Sequence, residues 1–316
     1  MRAAVTGANG FIGRNLVKGL LKEGHEVLSI VRRAKKAPML ESQGSEVNVL
    51  ELTQVDELAG SLEGADALFH LANVMVYATR RQQWSTNVVG TRSVLRAALR
   101  AGVSQLVYTS SVAVYGDTGN GWVTEDGPRQ PNTHYGKTKV WAENIIRKEA
   151  GDMAWHVLRP GLVYGPGSPL LFHTVRRGPT LLDRGSNWVP FVHVADVVHA
   201  LIRTAEKAES GSLFNVVDDR PLPLSEFFGI LIRETGARLR HVPYPAAFLQ
   251  ALAAETSAYV RRSVPRLTRD VLRLYRTSAR VTNERIKDEM DFRFVYPDPT
   301  QGIPEALRDL SKTFAM

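Results

Sequence analysis

Apolar positions in the first half of the chain show two alternating textures. Short runs rich in Val, Leu, Ile and Phe, at Ala3–Thr6, Glu26–Val31, Val47–Leu50, Ala67–His70, Gln105–Thr109 and Trp155–Leu158, read as buried β-strands. Between them, Phe11–Lys22, Val55–Leu62, Thr86–Ala101 and Gly136–Glu149 carry apolar residues at helical spacing and read as amphipathic helices. Regular alternation of the two predicts an α/β fold, a doubly wound parallel sheet covered by helices on both faces.

From Gly161 onward Pro and Gly punctuate the chain, most densely at Gly165-Pro166-Gly167-Ser168-Pro169. Phe191–Val194 and Ser212–Val216 still read as strands and are expected to return to the main sheet. The tail, from Pro221 to Met316, reads as mainly helical, with loops at His241–Pro245 and Tyr296–Pro299. The expected organisation is a sheet domain over residues 1–165, rejoined by 190–217, and a smaller, mainly helical domain formed by 166–189 and 218–316.

Composition narrows the function. With 316 residues, 44% hydrophobic and 23% charged, the chain can bury a large core and has no disordered character. It contains no cysteine, which excludes disulfides, thiolate metal sites and a cysteine nucleophile; no metal ligand is assigned. No run approaches the roughly 18 apolar residues of a membrane span. Met1 leads straight into the first strand, so no signal peptide is expected, and a cytoplasmic location fits. The net charge of +8 and isoelectric point near 9.7 favour acidic small molecules and loose contact with nucleic acid or anionic membrane. The charge is scattered, however. Its densest runs, Arg32-Arg33-Ala34-Lys35-Lys36 and Arg261-Arg262, have no interleaved aromatic residues, so no nucleic-acid partner is expected.

Thr6-Gly7-Ala8-Asn9-Gly10-Phe11-Ile12-Gly13 follows a strand and opens a helix, the context that makes a glycine pattern a dinucleotide site on a Rossmann sheet. Gly7 permits the turn, Gly10 admits the pyrophosphate and Gly13 lets helix and strand pack closely. The helix N-terminus then faces the phosphates. About 20 residues further on, where an NAD enzyme presents an acid to the ribose, the strand ends at Val31 and is followed by Arg32 and Arg33. Guanidinium groups suit a 2′-phosphate, so NADP(H) is expected to be preferred, with NAD(H) possible.

Tyr135 and Lys139 are four residues apart on a predicted helix and share a face. An ammonium there is expected to stabilise the phenolate and lower a pKa near 10, tuning the phenol to give a proton to a ketone or take one from an alcohol. Thr109 ends its strand, and Ser111 stands just beyond, where open parallel sheets bind ligands.

Together with Ser111-Val112-Ala113-Val114-Tyr115-Gly116, Tyr135-Gly136-Lys137-Thr138-Lys139 and Arg159-Pro160-Gly161-Leu162-Val163-Tyr164-Gly165-Pro166, the glycine loop resembles the extended short-chain dehydrogenase/reductase family, which includes NAD-dependent epimerases and dehydratases. The resemblance extends from Met1 to about Val217 and more loosely into the tail. It implies Ser111, Tyr135 and Lys139 as catalytic residues, with Lys139 also bonding the nicotinamide ribose. It further implies cofactor contacts from Asn9, Glu51, Leu52, Leu71, Ala72, Asn73, Thr109, Pro160 and Val163, and a site-organising role for Asn87. Family members commonly dimerise through two helices, here Thr86–Ala101 and Gly136–Glu149.

Departures from the sugar-nucleotide branch bear on the substrate. UDP-galactose 4-epimerase and its relatives carry asparagine where this chain has Leu162 and a phosphate-binding arginine where it has Val189. The 4,6-dehydratases place an acid pair where Val112-Ala113 stands. Arg159-Pro160 resembles instead the dihydroflavonol reductase and 3β-hydroxysteroid dehydrogenase branch, implying a small or medium apolar ketone or alcohol. Val74, Met75, Val76, Tyr77, Leu171, Phe172 and Trp188 are candidates for lining its pocket. An epimerase with tightly held NAD and a non-catalytic dinucleotide sensor stand as alternatives, the latter having no need of Tyr135 and Lys139.

Overall fold

A computed structural model describes residues 1–314 except 262, 264 and 266, together with all side chains but those of 259 and 309–314. Arg262 of the second basic run and Ala315 and Met316 of the tail therefore lie outside the described residues. Seven parallel strands form the main sheet: β1 (Arg2–Thr6), β2 (Glu26–Val31), β3 (Glu46–Val49), β4 (Ala67–His70), β5 (Gln105–Thr109), β6 (Ala154–Pro160) and β7 (Leu213–Val216), in the order β7-β6-β5-β4-β1-β2-β3. The chain winds outward from β1 to β3, returns to β4 and then winds the other way. The direction thus reverses between β1 and β4, and ligands bind at such a point outside the carboxyl ends of the strands.

Helices cover both faces, and side-chain alternation along each strand divides the core accordingly. Val5, Phe69 and Val107 pack with Leu16, Val17 and Leu20 of α1 (Phe11–Lys22) and with Val197 and Leu201 of the helix Val194–Lys207. Ala4, Leu68 and Leu106 face the opposite layer, with Val94 and Leu95 of α2 (Thr91–Arg100) and Ile145 and Ile146 of α3 (His134–Glu149). Burial on both faces is why these strands read as continuous apolar runs.

The structure corrects several boundaries. The stretch expected as one helix over Thr86–Ala101 is a wider π-turn at Ser85–Gly90 followed by α2, and the helical run begins earlier than expected, with an α-turn at Arg80–Trp84. Of the two strands expected to return to the sheet, Leu213–Val216 pairs with β6, whereas Phe191–His193 pairs with Leu162–Tyr164 in a separate two-stranded sheet and Val194 begins a helix. The expected loop at His241–Pro245 contains a strand, Arg240–Val242, paired with Thr180–Leu182, and the start of α4 (Tyr244–Val260). Pro245 falls in the first turn of α4, where its missing N–H costs no helical bond. A second core, with Tyr164, Phe191, Phe227, Leu231 and Ile303, unites the tail with the loops after β6. Phe191 and Phe227 stack there with ring centres 3.9 Å apart.

Candidate active site

The glycine loop is a cradle shaped by what it lacks. Gly7 adopts φ 71°, and a Cβ there would stand 2.7 Å from the Ala72 nitrogen; on Gly13 it would overlap the Gly7 carbonyl oxygen. Gly10 caps α1 without a side chain to accept from the first-turn N–H groups of Phe11, Ile12 and Gly13, leaving that end suited to an anion. Asn9 is half-buried on the rim. Arg14, the fourth residue of α1, donates through Nη2 to the Gly167 carbonyl, 2.5 Å away, and so joins the cradle to the loop before helix Pro169–Arg177.

The other expected cofactor contacts line the same end of the sheet. Arg32 and Arg33 are exposed beyond β2, and among the described residues neither forms an ion pair. Glu51 is exposed after β3, while Leu52 leans on Gly90, whose added Cβ would meet its Cδ1 at 3.2 Å. Leu71 is buried, its N–H donating to the Thr6 carbonyl; Ala72 donates to Thr6 Oγ1, and Asn73 Nδ2 to the Leu71 carbonyl. Pro160 ends β6 beside Val216, and Val163 packs against the sheet core.

Behind this rim runs a buried polar chain. The Thr6 hydroxyl and His70 Nδ1 are 2.7 Å apart, and His70 Nε2 and Thr91 Oγ1 3.0 Å. Thr91 donates to the Asn87 carbonyl at 2.7 Å, so His70 Nε2 carries the proton given to Thr91 and Nδ1 accepts from Thr6. Burial holds the imidazole neutral, with a pKa near 3, and the Lys139 charge acts in the same direction. Asn87 sits in the π-turn. Its side chain accepts from the Val74 N–H, donates to the Val74 carbonyl and bonds Thr138, which in turn donates to the Tyr135 carbonyl. Such turns widen a helix where a side chain must reach a site.

Tyr135 and Lys139 follow on α3, whose start is fixed by the Thr133 hydroxyl accepting from Gly136 N–H. The Ser111 hydroxyl accepts from the Ala113 N–H at 3.2 Å and is near enough to the Tyr135 phenol to act downward on its pKa. Lys139 is buried; its Nζ donates to the Thr109 carbonyl at 2.8 Å and to Tyr108 Oη at 3.2 Å, and lies 5.8 Å from the Tyr135 ring centre. Burial lowers the ammonium pKa to about 7, with Glu143 acting upward. Contrary to the expectation of a lowered phenol, burial pushes Tyr135 up to about 12, and the opposing influence is the Ser111 hydroxyl rather than the ammonium.

The neighbouring hydroxyl has a different partner. Ser110 donates to Glu143 Oε1 at 2.6 Å, inside a network in which Arg159 holds both oxygens of Glu143 and also donates to Tyr115. Glu143, Arg159, His70 and Thr91 were not singled out as site residues from the sequence. Their signal is a charge or polar group at a position whose neighbours are apolar.

The proposed apolar lining divides. Val76 joins Tyr135 in a cluster with Val271, Ala113, Leu274 and Tyr275, so α5 (Arg269–Arg276) forms a wall at the phenol that no sequence pattern indicated. Met75 and Tyr77 are exposed. Leu171 and Phe172 belong instead to the second core, and Trp188 lies under the Arg280 guanidinium, 4.1 Å from its ring centre. Their apolar character serves packing within the tail region.

The residues present fit a dinucleotide. The cradle admits no side chain, and the buried Thr109 Oγ1, beside Lys139, has no hydrogen-bond partner among the described residues. A phosphate-binding turn at the reversal point of a parallel sheet, adjoining a buried tyrosine and lysine, defines a nicotinamide-dependent oxidoreductase. The chain belongs to the NAD dependent epimerase/dehydratase family, whose profile matches residues 3–217, and is an NAD(P)-dependent dehydrogenase/reductase of the extended short-chain type. It is 30% identical over 287 residues, 87% of this chain and 85% of the relative, to a 4-hydroxy-2-methyl-3-oxo-4-farnesyl-3,4-dihydroquinoline-1-oxide ketoreductase from Stigmatella aurantiaca. It is 31% identical over 263 residues, 75% of this chain and 70% of the relative, to a 3 beta-hydroxysteroid dehydrogenase/Delta 5-->4-isomerase from Mycobacterium tuberculosis. Among solved structures, a dTDP-glucose 4,6-dehydratase from Streptomyces venezuelae with NAD bound superposes with a TM-score of 0.82 at 23% identity, covering 100% of this chain and 98% of the other, a likeness of fold.

Proposed function

We propose that the protein is an NADP-dependent reductase or dehydrogenase of a small or medium apolar ketone or alcohol. The observation that carries this reading is the buried Tyr135, one helical turn before Lys139 on α3, packed against the apolar wall of Val76, Val271 and Leu274. A bound nicotinamide supplies the carbon that gives or takes hydride. Tyr135 gives its proton to the ketone oxygen in reduction and recovers it in oxidation, while Ser111 orients the phenol and the reacting oxygen. Lys139, anchored on the Thr109 carbonyl, is placed to direct a remaining N–H toward the ribose.

Two features support an apolar substrate over a sugar nucleotide. Leu162 and Val189, where the epimerases carry asparagine and arginine, pack against the second core and present no polar anchor. Both relatives quoted at or above 30% identity are named for ketone or hydroxysteroid chemistry. The test is a panel of apolar ketones and alcohols, with UDP-glucose for contrast, followed by nicotinamide absorbance with each cofactor. Turnover of the sugar nucleotide without net cofactor change would overturn the reading.

We also propose a homodimer through the helical stretch around α2 and through α3. Trp84 and Trp141 are 42% and 53% exposed and meet edge to face, 5.9 Å between centres, with exposed Val89 nearby in sequence. Such aromatic residues anchor interfaces. Light scattering of Trp141→Glu should give the mass of one chain where the unmodified protein gives two.

A further inference from the structure

Helix α4 lies on the surface yet is apolar on nearly every side. Inward, Ala247 and Ala251 pack with Leu272 of α5. Outward, Leu249, Leu252, Thr256 and Val260 follow one another at helical spacing as an exposed stripe, with Leu249 65% and Val260 76% exposed. The helix has one ionisable acid, Glu255, and Arg269 occupies both of its oxygens at 2.8 Å. A surface helix ordinarily turns charge to water; one that turns leucine and valine has a partner to meet.

Arginines stand along the edge of this helix that adjoins α5. At its beginning the Arg276 guanidinium sits 4.2 Å over the Tyr244 ring; Arg269 is beside the middle, and Arg261 is exposed just past the end. Between residues 261 and 280 the sequence carries seven arginines and a single acid, Asp270. A second copy meeting this face about a two-fold axis would bring arginine against arginine, which disfavours self-association there. Anionic headgroups above an acyl layer match both features, since leucines enter the hydrocarbon boundary while guanidinium groups pair with phosphates.

We propose that the outward face of α4, rimmed by the arginines of α5, docks on an anionic lipid surface from which the enzyme draws an apolar substrate. The supply of substrate rests on the function proposed above; the docking does not. Leu267 connects the two regions, packing both with the inner side of α4 and with the cluster around Tyr135. A substrate leaving the bilayer beside α4 would therefore enter next to the phenol.

The experiment is co-sedimentation of the full chain with vesicles of phosphatidylcholine alone and of phosphatidylcholine with phosphatidylglycerol, without substrate or cofactor. The protein should bind the anionic vesicles and be released by high salt, as the short Debye length there weakens arginine–phosphate attraction. Leu249→Ser with Leu252→Ser should weaken binding at least about tenfold, because two leucines no longer leave water, while turnover of a water-soluble ketone stays unchanged. Arg261→Gln with Arg276→Gln should remove the preference for anionic vesicles. Wild-type protein remaining in the supernatant, or unaltered binding by the serine pair, would overturn the proposal. A fall in molar mass for the serine pair without loss of vesicle binding would also overturn it, assigning the face to a second copy. Since vesicle binding is read without substrate or cofactor, failure here is distinguishable from failure of the oxidoreductase reading.

Discussion

Arg159 lies along the Glu143 carboxylate, Nε to Oε1 at 2.9 Å and Nη2 to Oε2 at 2.7 Å, one helical turn beyond Lys139. Both side chains are excluded from water, with exposures of 1% and 0%. The pair fastens α3, which carries Tyr135 and Lys139, to β6 and the loop that follows it. Removing one partner of a buried pair leaves the other charge uncompensated, at a cost of about 3–5 kcal/mol. Glu143→Gln should therefore lower unfolding stability by about that amount in urea. A loss below about 1 kcal/mol would show that the network is slack.

The same pair predicts an acid limb. Burial alone would raise the Glu143 pKa, but the Arg159 hydrogen bonds and charge, with Ser110 and Arg129, hold it below the ordinary carboxylate value. A carboxylate depressed in the folded state contributes stability above its unfolded pKa and loses it as pH falls through the folded value. Wild-type stability should thus drop below about pH 4, and Glu143→Gln should lack that part of the drop. Parallel urea titrations of both proteins from neutral to acid pH would show it; superimposable profiles apart from a constant offset would rule it out.

For Tyr135, a pKa near 12 means the phenol carries its proton throughout the neutral range. Ketone reduction, which uses the phenol as acid, should be nearly flat with pH there. Alcohol oxidation needs the phenolate and should rise with pH, by up to about tenfold per unit, until the pKa is reached. Tyr135→Phe should lower turnover about 10²–10⁴-fold and leave cofactor affinity nearly unchanged, because the ring packing survives. A bell-shaped oxidation profile centred near neutrality in the wild type would contradict this assignment.

Much of this fold is written in local pattern. Strands such as Val5–Thr6 and Leu68–Phe69 are buried on both faces, so their apolar runs identify them without knowledge of neighbours. The cradle was equally legible, because Gly7 and Gly13 are required by backbone contacts within the motif itself or with the adjacent strand end. What escaped depends on distant contacts. Val271 and Leu274 look like any amphipathic helix until α5 is laid against Tyr135, 136 residues earlier in the case of Val271. Leu171 reads as a pocket residue in sequence and is a core residue because Tyr164 and Phe227 arrive around it. The phenol's pKa was misjudged for a related reason: spacing shows Lys139 nearby, but not that the phenol is buried.

Gly13→Ala tests the cradle. Its Cβ would collide with the Gly7 carbonyl and crowd the Ala8 Cα at 2.9 Å, backbone atoms that cannot move without reshaping the turn. We expect a lower melting temperature and, more tellingly, little stabilisation by NADPH. A ligand at 100 times its dissociation constant stabilises the native state by about 2.7 kcal/mol, and a distorted cradle forfeits most of that. An unchanged NADPH-induced melting shift in the variant would show that the loop does not hold the pyrophosphate. Gly60→Ala serves as a control, since nothing lies within 4 Å of its added Cβ.

Cofactor choice should reside just beyond β2. Val31 is buried at the strand end where an aspartate would hold the ribose hydroxyls, so NADH gains no such bonds. Arg32 and Arg33 project into solvent, and neither is engaged in an ion pair among the described residues, so a 2′-phosphate meets them without displacing an acid. Hydrogen bonds to charged groups contribute roughly 1.5–3 kcal/mol each, less where water and salt screen them. A single contact at the lower end already corresponds to about a tenfold preference. Calorimetric titration at low salt should therefore find NADPH binding at least about tenfold more tightly than NADH. Arg32→Ala with Arg33→Ala should remove most of the difference by weakening NADPH alone, and rising salt should narrow it in the wild type. Equal affinities in the unmodified protein would refute the assignment, as would a double variant that loses NADH binding to the same extent.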